Sequence, residues 1–422
     1  MTGANSSVPN SEVFPSVQEE VALLARLPEV RAAFGRFRFE EAQIAQWQMD
    51  VSRVAAPPFG ETLRAEWLAA RFREIGLAGV EIDDVGNVFG LLSARAGQNN
   101  RYVALSAHID TVFPATTPLN IRQQGTRLYG PGVSDNGAGI AAMLAVASAL
   151  VTSRLPHTLP FVFIGNVGEE GEGDLRGMRH VFETPRWRDS IAFSLVVDGA
   201  GSDTIVAEAL GSRRFEVIAR GPGGHSWSDF GAPNPIIVLS RTIEVFSQTP
   251  VPATPKTTYN VGVIRGGTSV NSIPESASMR VDLRSTSMAE IDRLERALRV
   301  ALEQAVAAEN RAAAQHGTRK PQLVQSEVVE IGNRPAGELP RDARLLKVIR
   351  AVDAQLGNAA QVQRASTDAN IPLSLGREAI AIGGGGSGGG AHTLQEWFDC
   401  NGRDLGLRRI LLTMLTLSGV RE

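Results

Sequence analysis

Histidine and carboxylate side chains follow several apolar segments of this sequence. YVALSA is followed by His108 and then Asp110, and FVFIGNV is followed by Glu169 and Glu170. Comparable positions are occupied by Asp135 in YGPGVSDNGAG, Asp198 after FSLVV, and His392 after the glycine run beyond AIAI. Taken alone, each has a structural explanation, since Asp135 would simply cap the helix that follows it. Ligands of α/β sheets bind beyond the carboxyl ends of the strands, so we expect these side chains at one edge.

Carboxylates and imidazoles gathered at one edge need a counter-charge. Removed from water, they would repel one another or stay poorly solvated. Two divalent metal ions would neutralise them, and a mixed histidine and carboxylate shell suits Zn²⁺, with Co²⁺ or Mn²⁺ as alternatives. The residue types therefore predict a two-metal site.

The candidate ligands divide between two ions about 3.5–4 Å apart. His108 and Asp198 would bind one metal, Glu170 and His392 the other, and Asp135 would bridge them.

Two acids remain outside this ligand set. Asp110 lies two residues after His108, on the same face of an extended chain, and would fix the tautomer of the imidazole. Glu169 has no metal to bind, and a free carboxylate beside metal-bound water is the general base that a hydrolase needs. We therefore expect a bridging water activated by two metals and by Glu169.

The elements predicted to position these residues alternate between apolar strands and helices. Helices are predicted over 17–35, 39–54, 62–75 and 137–153, with buried strands between and after them. This alternation is typical of a mostly parallel sheet with helices on both faces. The hydrophobic pattern changes at Gly211. Half-exposed strands and helices over 233–248 and 288–315 then follow the order β-α-β-β-α-β of a ferredoxin-like α+β unit. After Asn333 the α/β pattern of the first segment returns, with a helix over 342–356, a strand over 378–382 and a helix over 403–418.

These patterns predict four segments. Residues 1–16 form a disordered N-terminal segment, residues 17–210 and 333–422 form the two parts of an α/β catalytic domain, and residues 211–332 form an inserted α+β domain. A chain of 422 residues is long enough for two cores.

Composition and charge exclude several classes of protein. The net charge of −3 shows no sign of the basic surface that binds nucleic acid. No apolar run is long enough to cross a membrane, and the N-terminus lacks the features of a signal peptide. The single cysteine, Cys400, excludes an internal disulfide. We therefore expect a cytoplasmic enzyme with no membrane or nucleic-acid partner.

Several motifs resemble one known family. SAHIDTVFP, GPGVSDNGAG, GEEGEG, VVDGAG, GPGGHSW, GGTSVNSIPESASMRVDLR, GNRPAG and AHTLQEW occur in order from about residue 45 to the C-terminus. They resemble the di-zinc exopeptidase and amidohydrolase family that includes peptidase T, carboxypeptidase G and aminoacylase. The resemblance implies the metal roles given above and a catalytic domain interrupted by a lid domain that forms a homodimer.

The resemblance also implies roles for residues of the lid. His225 matches a histidine that stabilises the tetrahedral intermediate, in many members from the partner subunit. Asn271, Arg284 and Arg334 match positions that bind the substrate, often its carboxylate, and an arginine fork suits that group. A tight turn at Gly221–Gly224 with a surface histidine, and an ordinary strand-end arginine at 284, are the structural alternatives. Some members carry an acid after Asp135, where this chain has Asn136.

The choice of substrate rests on the resemblance to the peptidase T branch. PPFGE, DGAG and GSRRFEV resemble that branch, which favours a di- or tripeptide exopeptidase. The alternatives are a deacylase of N-acyl amino acids or a related amidohydrolase, and a non-catalytic, metal-bound regulatory relative. Conservation of Glu169 and of all the ligand positions within the motifs argues against the non-catalytic alternative.

The run Gly383–Gly390 resembles a flexible linker. It lies between a predicted strand and a predicted helix of one domain, so we expect an active-site loop whose glycines let backbone pass close to the substrate. On this hypothesis alanine substitutions would leave the fold intact and lower affinity or rate, and Glu396 would fix the loop.

Overall fold

The computed structural model describes residues 16–95, 100–153, 155, 157–316 and 323–419. The segment predicted to be disordered, residues 1–16, lies outside this description except for Ser16. Within the described ranges no helix is both long and apolar enough to cross a membrane.

The described chain forms nineteen strands. In chain order they are β1 (Ala78–Ile82), β2 (Val88–Leu92), β3 (Tyr102–His108), β4 (Arg122–Gln124), β5 (Arg127–Tyr129), β6 (Phe161–Asn166), β7 (Ile191–Val197), β8 (Thr204–Ala209), β9 (Gly211–Arg220), β10 (Gly224–His225), β11 (Thr257–Gly266), β12 (Ser272–Ile273), β13 (Ser276–Ser285), β14 (Gln325–Arg334), β15 (Gly337–Glu338), β16 (Gln361–Ala365), β17 (Glu378–Ile382), β18 (Ser387–Gly389) and β19 (Trp397–Asp399).

Twelve α-helices accompany these strands in the described ranges. They are α1 (Val17–Arg26), α2 (Pro28–Phe39), α3 (Glu41–Ser52), α4 (Thr62–Ile75), α5 (Gly137–Ser153), α6 (Arg176–Glu183), α7 (Pro185–Arg188), α8 (Pro235–Ser247), α9 (Met288–Gln315), α10 (Arg344–Leu356), α11 (Asn370–Ser374) and α12 (Arg403–Ser418).

The first sheet has nine strands in the order β1-β2-β6-β3-β7-β17-β8-β15, with β16 beside β8. Its centre, β6-β3-β7-β17, is parallel, as the continuous apolar runs predict. The flanks differ from a mostly parallel sheet, because β2 pairs antiparallel with β6 and β8 pairs antiparallel with β17. The sheet is therefore mixed, and the parallel centre brings the carboxyl ends of four strands to one edge.

Helix α5 packs very closely against this edge. A Cβ at Gly139 would lie 2.1 Å from the Asn136 side-chain oxygen and 2.6 Å from the carbonyl oxygen of Val197, the last residue of β7. The small residues of the helix thus permit the approach, and they hold the loop before α5 next to the end of β7.

The second sheet has the strand order β11-β13-β9-β14, and all of its pairs are antiparallel. Helices α8 and α9 pack on one face over a separate apolar core that includes Phe215, Val217, Met279 and Leu283. This is the topology expected of a ferredoxin-like unit. The proposed domain limits stay a prediction.

The chain enters and leaves the second sheet at neighbouring points. Ser212 of β9 and Arg334 of β14 are paired residues. The side-chain amide of Asn370 donates hydrogen bonds to the carbonyl oxygens of Leu210, 3.0 Å away, and Pro335, 2.9 Å away. One side chain of the first unit therefore binds both connections.

The N-terminal helices differ from their prediction. The helix predicted over 17–35 ends at Arg26, and a second helix starts at Pro28. Proline lacks an amide hydrogen but is tolerated in the first turn of a helix, which explains a break at this position. Strands β8 and β16, which complete the first sheet, were not predicted.

Candidate metal centre

The predicted ligands lie together at the edge where the parallel strands end. The Asp135 carboxylate stands between two imidazoles: its Oδ1 is 3.1 Å from His108 Nε2, and its Oδ2 is 3.0 Å from His392 Nε2. Glu170 Oε1 lies 3.0 Å from His392 Nε2, and Asp198 Oδ1 lies 3.7 Å from His108 Nε2. Each imidazole therefore faces Asp135 and one further acid, in the pairs that the two-metal hypothesis requires.

These donor atoms suit a cation. Ligand atoms of His108, Asp135 and Glu170 all lie within 4.8 Å of one another. Imidazole nitrogens and carboxylate oxygens at such spacing are the ligands of mixed zinc-type sites. The side chains therefore fit the predicted metals, although their assignment as ligands remains a proposal.

Asp110 is fully buried and makes contacts in two directions. Its carboxylate accepts hydrogen bonds from the backbone amides of Glu169 (3.0 Å) and Glu170 (2.8 Å). His108 Nδ1 lies 3.1 Å from the Asp110 carbonyl oxygen and 3.5 Å from Oδ1. Asp110 thus fixes both the imidazole and the loop that carries the two glutamates.

Glu396 fixes a different loop from the one predicted. Its buried carboxylate accepts hydrogen bonds from the amides of Gly132 (2.9 Å), Ser134 (2.7 Å) and Asp135 (2.7 Å). It therefore anchors the turn that presents Asp135 rather than the glycine run. A buried acid four residues after a candidate ligand is the only sequence signal of this role.

Glu169 is not a free carboxylate in this structure. Arg334 Nη1 donates to Glu169 Oε1 at 2.9 Å, and its Nη2 donates to the Glu169 carbonyl oxygen. Both side chains are buried. Burial raises the pKa of Glu169 well above its usual value, although the Arg334 charge opposes that rise. The structure thus places Arg334 on the predicted base, not open to a substrate carboxylate.

Burial and hydrogen bonds raise three pKa values within the cluster. Burial raises the pKa of Glu170 to about 6. The hydrogen bond to Asp135 raises the pKa of His392 to about 9. Burial alone would lower the pKa of His108, but hydrogen bonds to Asp110, Asp135 and Asp198 outweigh it and raise that pKa well above its usual value. A metal ion binding here would have to displace these protons.

A cavity of about 370 Å³ opens beside the cluster. It is lined by the cluster acids Asp135, Glu169, Glu170 and Asp198, by His392, and by Arg214, Arg284, Arg334 and Ser366, with Val112 and Gly171 completing the wall. Arg284 therefore lies where the resemblance places a substrate-binding residue. Arg214 was missed, because a charged residue in an alternating strand has no distinctive sequence signal.

His225 and Asn271 lie elsewhere. Both are exposed, and the Ser226 amide donates to the Asn271 carbonyl oxygen at 3.0 Å, so both lie at the small two-stranded sheet that β10 and β12 form. The His225 imidazole nitrogen accepts from the Trp227 amide at 3.2 Å. Neither residue lines the cavity, so this single chain does not bring them to the metal cluster.

The glycine run has two roles. A Cβ at Gly383 would lie 2.3 Å from the Ala200 carbonyl oxygen, and one at Gly385 would lie 2.4 Å from the Arg403 carbonyl oxygen. Gly386–Gly390 line a second cavity together with Asp135 and Asp198. The prediction that alanines leave the fold intact is wrong for the first half of the run, because these backbone contacts leave no room for a side chain.

Known proteins resemble this chain in sequence and in fold. Residues 104–414 match the model of peptidase family M20/M25/M40. A probable carboxypeptidase of Aspergillus clavatus is 31% identical over 220 residues, which cover 47% of this chain and 47% of the relative. The chain thus spans about half the length of the curated relatives that it matches.

Two solved structures share the fold. The aminopeptidase PepT of Bacillus cereus has a TM-score of 0.71 at 18% identity and covers 90% of this chain and 99% of its own. The YXEP protein of Bacillus subtilis, described as a dinuclear metal-binding peptidase of the M20 family, has a TM-score of 0.63 at 14% identity and covers 91% of this chain and 100% of its own.

Proposed function

Because the chain belongs to peptidase family M20/M25/M40, as its motifs predicted, we propose that it is a two-metal hydrolase of a small peptide. The observation that carries the proposal is the Asp135 carboxylate shared between His108 and His392, with one further acid beside each imidazole. His108, Asp135 and Asp198 would hold one divalent cation, and His392, Asp135 and Glu170 the other.

The cations supply one part of the chemistry and this chain supplies the rest. When bound, two divalent ions, most simply Zn²⁺, lower the pKa of a water molecule and polarise a carbonyl oxygen. Glu169 lines the same cavity and would accept the proton of the attacking water, then deliver it to the leaving amine. Arg334 would hold the Glu169 carboxylate in place during both transfers.

The position of Glu169 favours a base over a ligand. It is adjacent in sequence to Glu170, yet its carboxylate binds Arg334, whereas that of Glu170 binds His392. The two carboxylates are thus held on different partners, which separates their roles.

Arg284 indicates which part of the substrate enters the cavity. Its guanidinium would bind a carboxylate of the leaving amino acid. That contact suits a di- or tripeptide, the proposed substrate, and it suits an N-acyl amino acid equally well, because the leaving group is the same. Deacylation is therefore the second candidate.

The exposed β10-β12 sheet takes part in the proposed reaction through a second protomer. His225 would stabilise the oxyanion of the tetrahedral intermediate only if it reached a cavity other than that of its own chain. We therefore propose a homodimer in which the second sheet and its helices carry the contact.

A product screen tests the proposed function. The protein loaded with Zn²⁺, Co²⁺ or Mn²⁺ is offered di- and tripeptides and N-acetyl amino acids, and the products are identified by mass spectrometry. Release of an amino acid from the peptides supports the peptidase, and release only from acylated amino acids supports the deacylase. A metal-loaded protein that cleaves neither class would contradict the hydrolase.

A further inference from the structure

One face of the second sheet carries charged side chains toward the metal cluster. Phe215 and Val217 of β9 point into the apolar core beneath α8 and α9. Because side chains alternate along a strand, Arg214 points to the opposite face. The same alternation places Asp282 and Arg284 of β13 on that face, and Asp282 is the register partner of Arg214.

The Asp282 carboxylate lies between two arginine side chains and contacts both of them. Arg284 Nε donates to its Oδ2 at 2.6 Å, and Arg214 Nε lies 3.5 Å from its Oδ1. Arg214 Nη1 also donates to the Gly171 carbonyl oxygen, 3.3 Å away, directly after Glu170. Within the described residues, neither terminal nitrogen of Arg284 nor Nη2 of Arg214 has a protein acceptor. Both arginines line the cavity.

We propose that Arg214 is a specificity-determining residue that binds a second carboxylate of the substrate, beyond the one bound by Arg284. Since the Asp282 carboxylate lies between the two guanidinium groups, each presents its own set of donors, and two separate anions satisfy them better than one. The preferred substrate is then a peptide whose leaving residue is glutamate or aspartate. This inference rests on the proposed function, because it names the substrate class of the same site.

The charge of the cavity supports an acidic leaving residue. Arg334 forms its ion pair with Glu169. Within the described part of the chain, the ion pairs of Arg214 and Arg284 share a single carboxylate, that of Asp282. A carboxylate side chain of the substrate would supply a second one, whereas the isosteric amide of glutamine would not.

The test compares acidic peptides with their amide isosteres. We expect the metal-loaded protein to cleave Gly-Glu with a kcat/KM about 10–100-fold above that for Gly-Gln, since a hydrogen bond to a charged group is stronger than one to a neutral group. Arg214→Gln should bring that ratio close to one, because it lowers the kcat/KM for Gly-Glu far more than that for Gly-Gln, and Arg214→Lys should retain part of the preference. Arg220→Gln is the matched control, because Arg220 lies on the same strand but pairs with Glu327 far from the cavity.

A binding measurement separates this inference from the proposed function. Calorimetry with glutamate and glutamine as product ligands should show the same preference in the parent protein and its loss in Arg214→Gln. An unchanged ratio, or an equal loss with both peptides, would overturn the role of Arg214 and leave it as a tether for Gly171. If no peptide were cleaved, the proposed function would fail, and the calorimetric comparison would still decide the role of Arg214.

Discussion

Two groups of polar residues belong to recognisable sequence motifs, and the fold places the two groups differently. His108, Asp135 and Glu170 lie at or after the ends of parallel strands or before a helix, and their ligand atoms lie within 4.8 Å of one another. His225 and Asn271 are exposed at the two-stranded β10-β12 sheet, and neither lines the cavity beside the cluster. A side chain at the end of a strand is positioned by its own sheet, whereas this separate small sheet does not bring its side chains to the cluster of the same chain.

The largest loss of activity is expected when the proposed base, Glu169, is replaced. Glu169→Ala should lower kcat by about 10²–10⁴-fold because proton transfer is lost, while Zn²⁺ content stays nearly normal. Glu170→Ala and His392→Ala should instead lose metal. The control is Glu172→Ala, since Glu172 lies on the same loop but is exposed. Kinetics and metal analysis check the prediction, and normal turnover by Glu169→Ala would contradict the assignment.

Changes in the β10-β12 sheet should lower the turnover rate without changing the metal content. His225→Ala should lower kcat by about 10²–10³-fold, the loss typical of an oxyanion donor, at unchanged metal content. Ser226→Ala is the control within the same exposed loop.

Mixing two defective proteins sharpens this comparison. If His225 acts on the partner's cavity, a mixture of the Glu169→Ala and His225→Ala proteins forms heterodimers with one intact site and recovers roughly a quarter of normal activity. If His225 acted within its own chain, the mixture would stay inactive.

A smaller effect is expected where the support of the cluster is changed. Glu396→Gln replaces an acceptor of three amides with a group that also carries hydrogens, which disturbs the turn that presents Asp135. We expect metal affinity to fall by about 10–100-fold, as for other residues that orient ligands. Competition with a chelator measures it, and Gln395→Ala is the adjacent control. Unchanged affinity would show that Glu396 does not support the site.

The smallest effect is a gradual change of metal affinity with pH. In the metal-free protein the hydrogen bond to Asp135 raises the pKa of His392 to about 9, so its imidazole stays protonated up to about that pH, whereas an ordinary imidazole loses its proton near pH 6.5. A metal ion needs the neutral imidazole, so its apparent affinity should rise by up to about tenfold per pH unit through this window and then level off. Calorimetry in buffers of different ionisation enthalpy would show the released proton. An affinity independent of pH would contradict the prediction.

The sequence predicted that the candidate ligands would meet at one edge, because each position depends on local structure. His108 ends a buried apolar strand, Asp198 follows another, and Asp135 precedes a helix whose small residues mark close packing. The direction of the strand ends then fixes where these side chains meet. Helices α5, α9 and α12 and strand β17 agree with their predicted limits for the same reason.

Contacts between distant segments could not be predicted in this way. The ion pair of Arg334 with Glu169 joins the end of β14 to the loop after β6, and nothing in either segment specifies the other. The antiparallel flanks of the first sheet depend on the pairing of β2 with β6 and of β8 with β17, and the residues of one strand do not specify the direction of its neighbour. The packing of Gly383 and Gly385 against backbone carbonyls likewise depends on chain segments far away in sequence.

The two chain segments that connect the first sheet to the second lie side by side, and this arrangement has a consequence for the architecture. Ala209 of β8 and Gly337 of β15 are antiparallel partners in the first sheet, so residues 211–334 occupy the position of the turn in an ordinary β-hairpin. The cost of closing a loop grows only slowly with its length, so a turn can expand into a folded unit without breaking the hairpin beneath it. Deleting that unit and joining the two strands by a tight turn should leave a first sheet that still folds. The insert could equally be exchanged for another whose ends are adjacent, which makes the wall bearing Arg214 and Arg284 a replaceable part of the molecule.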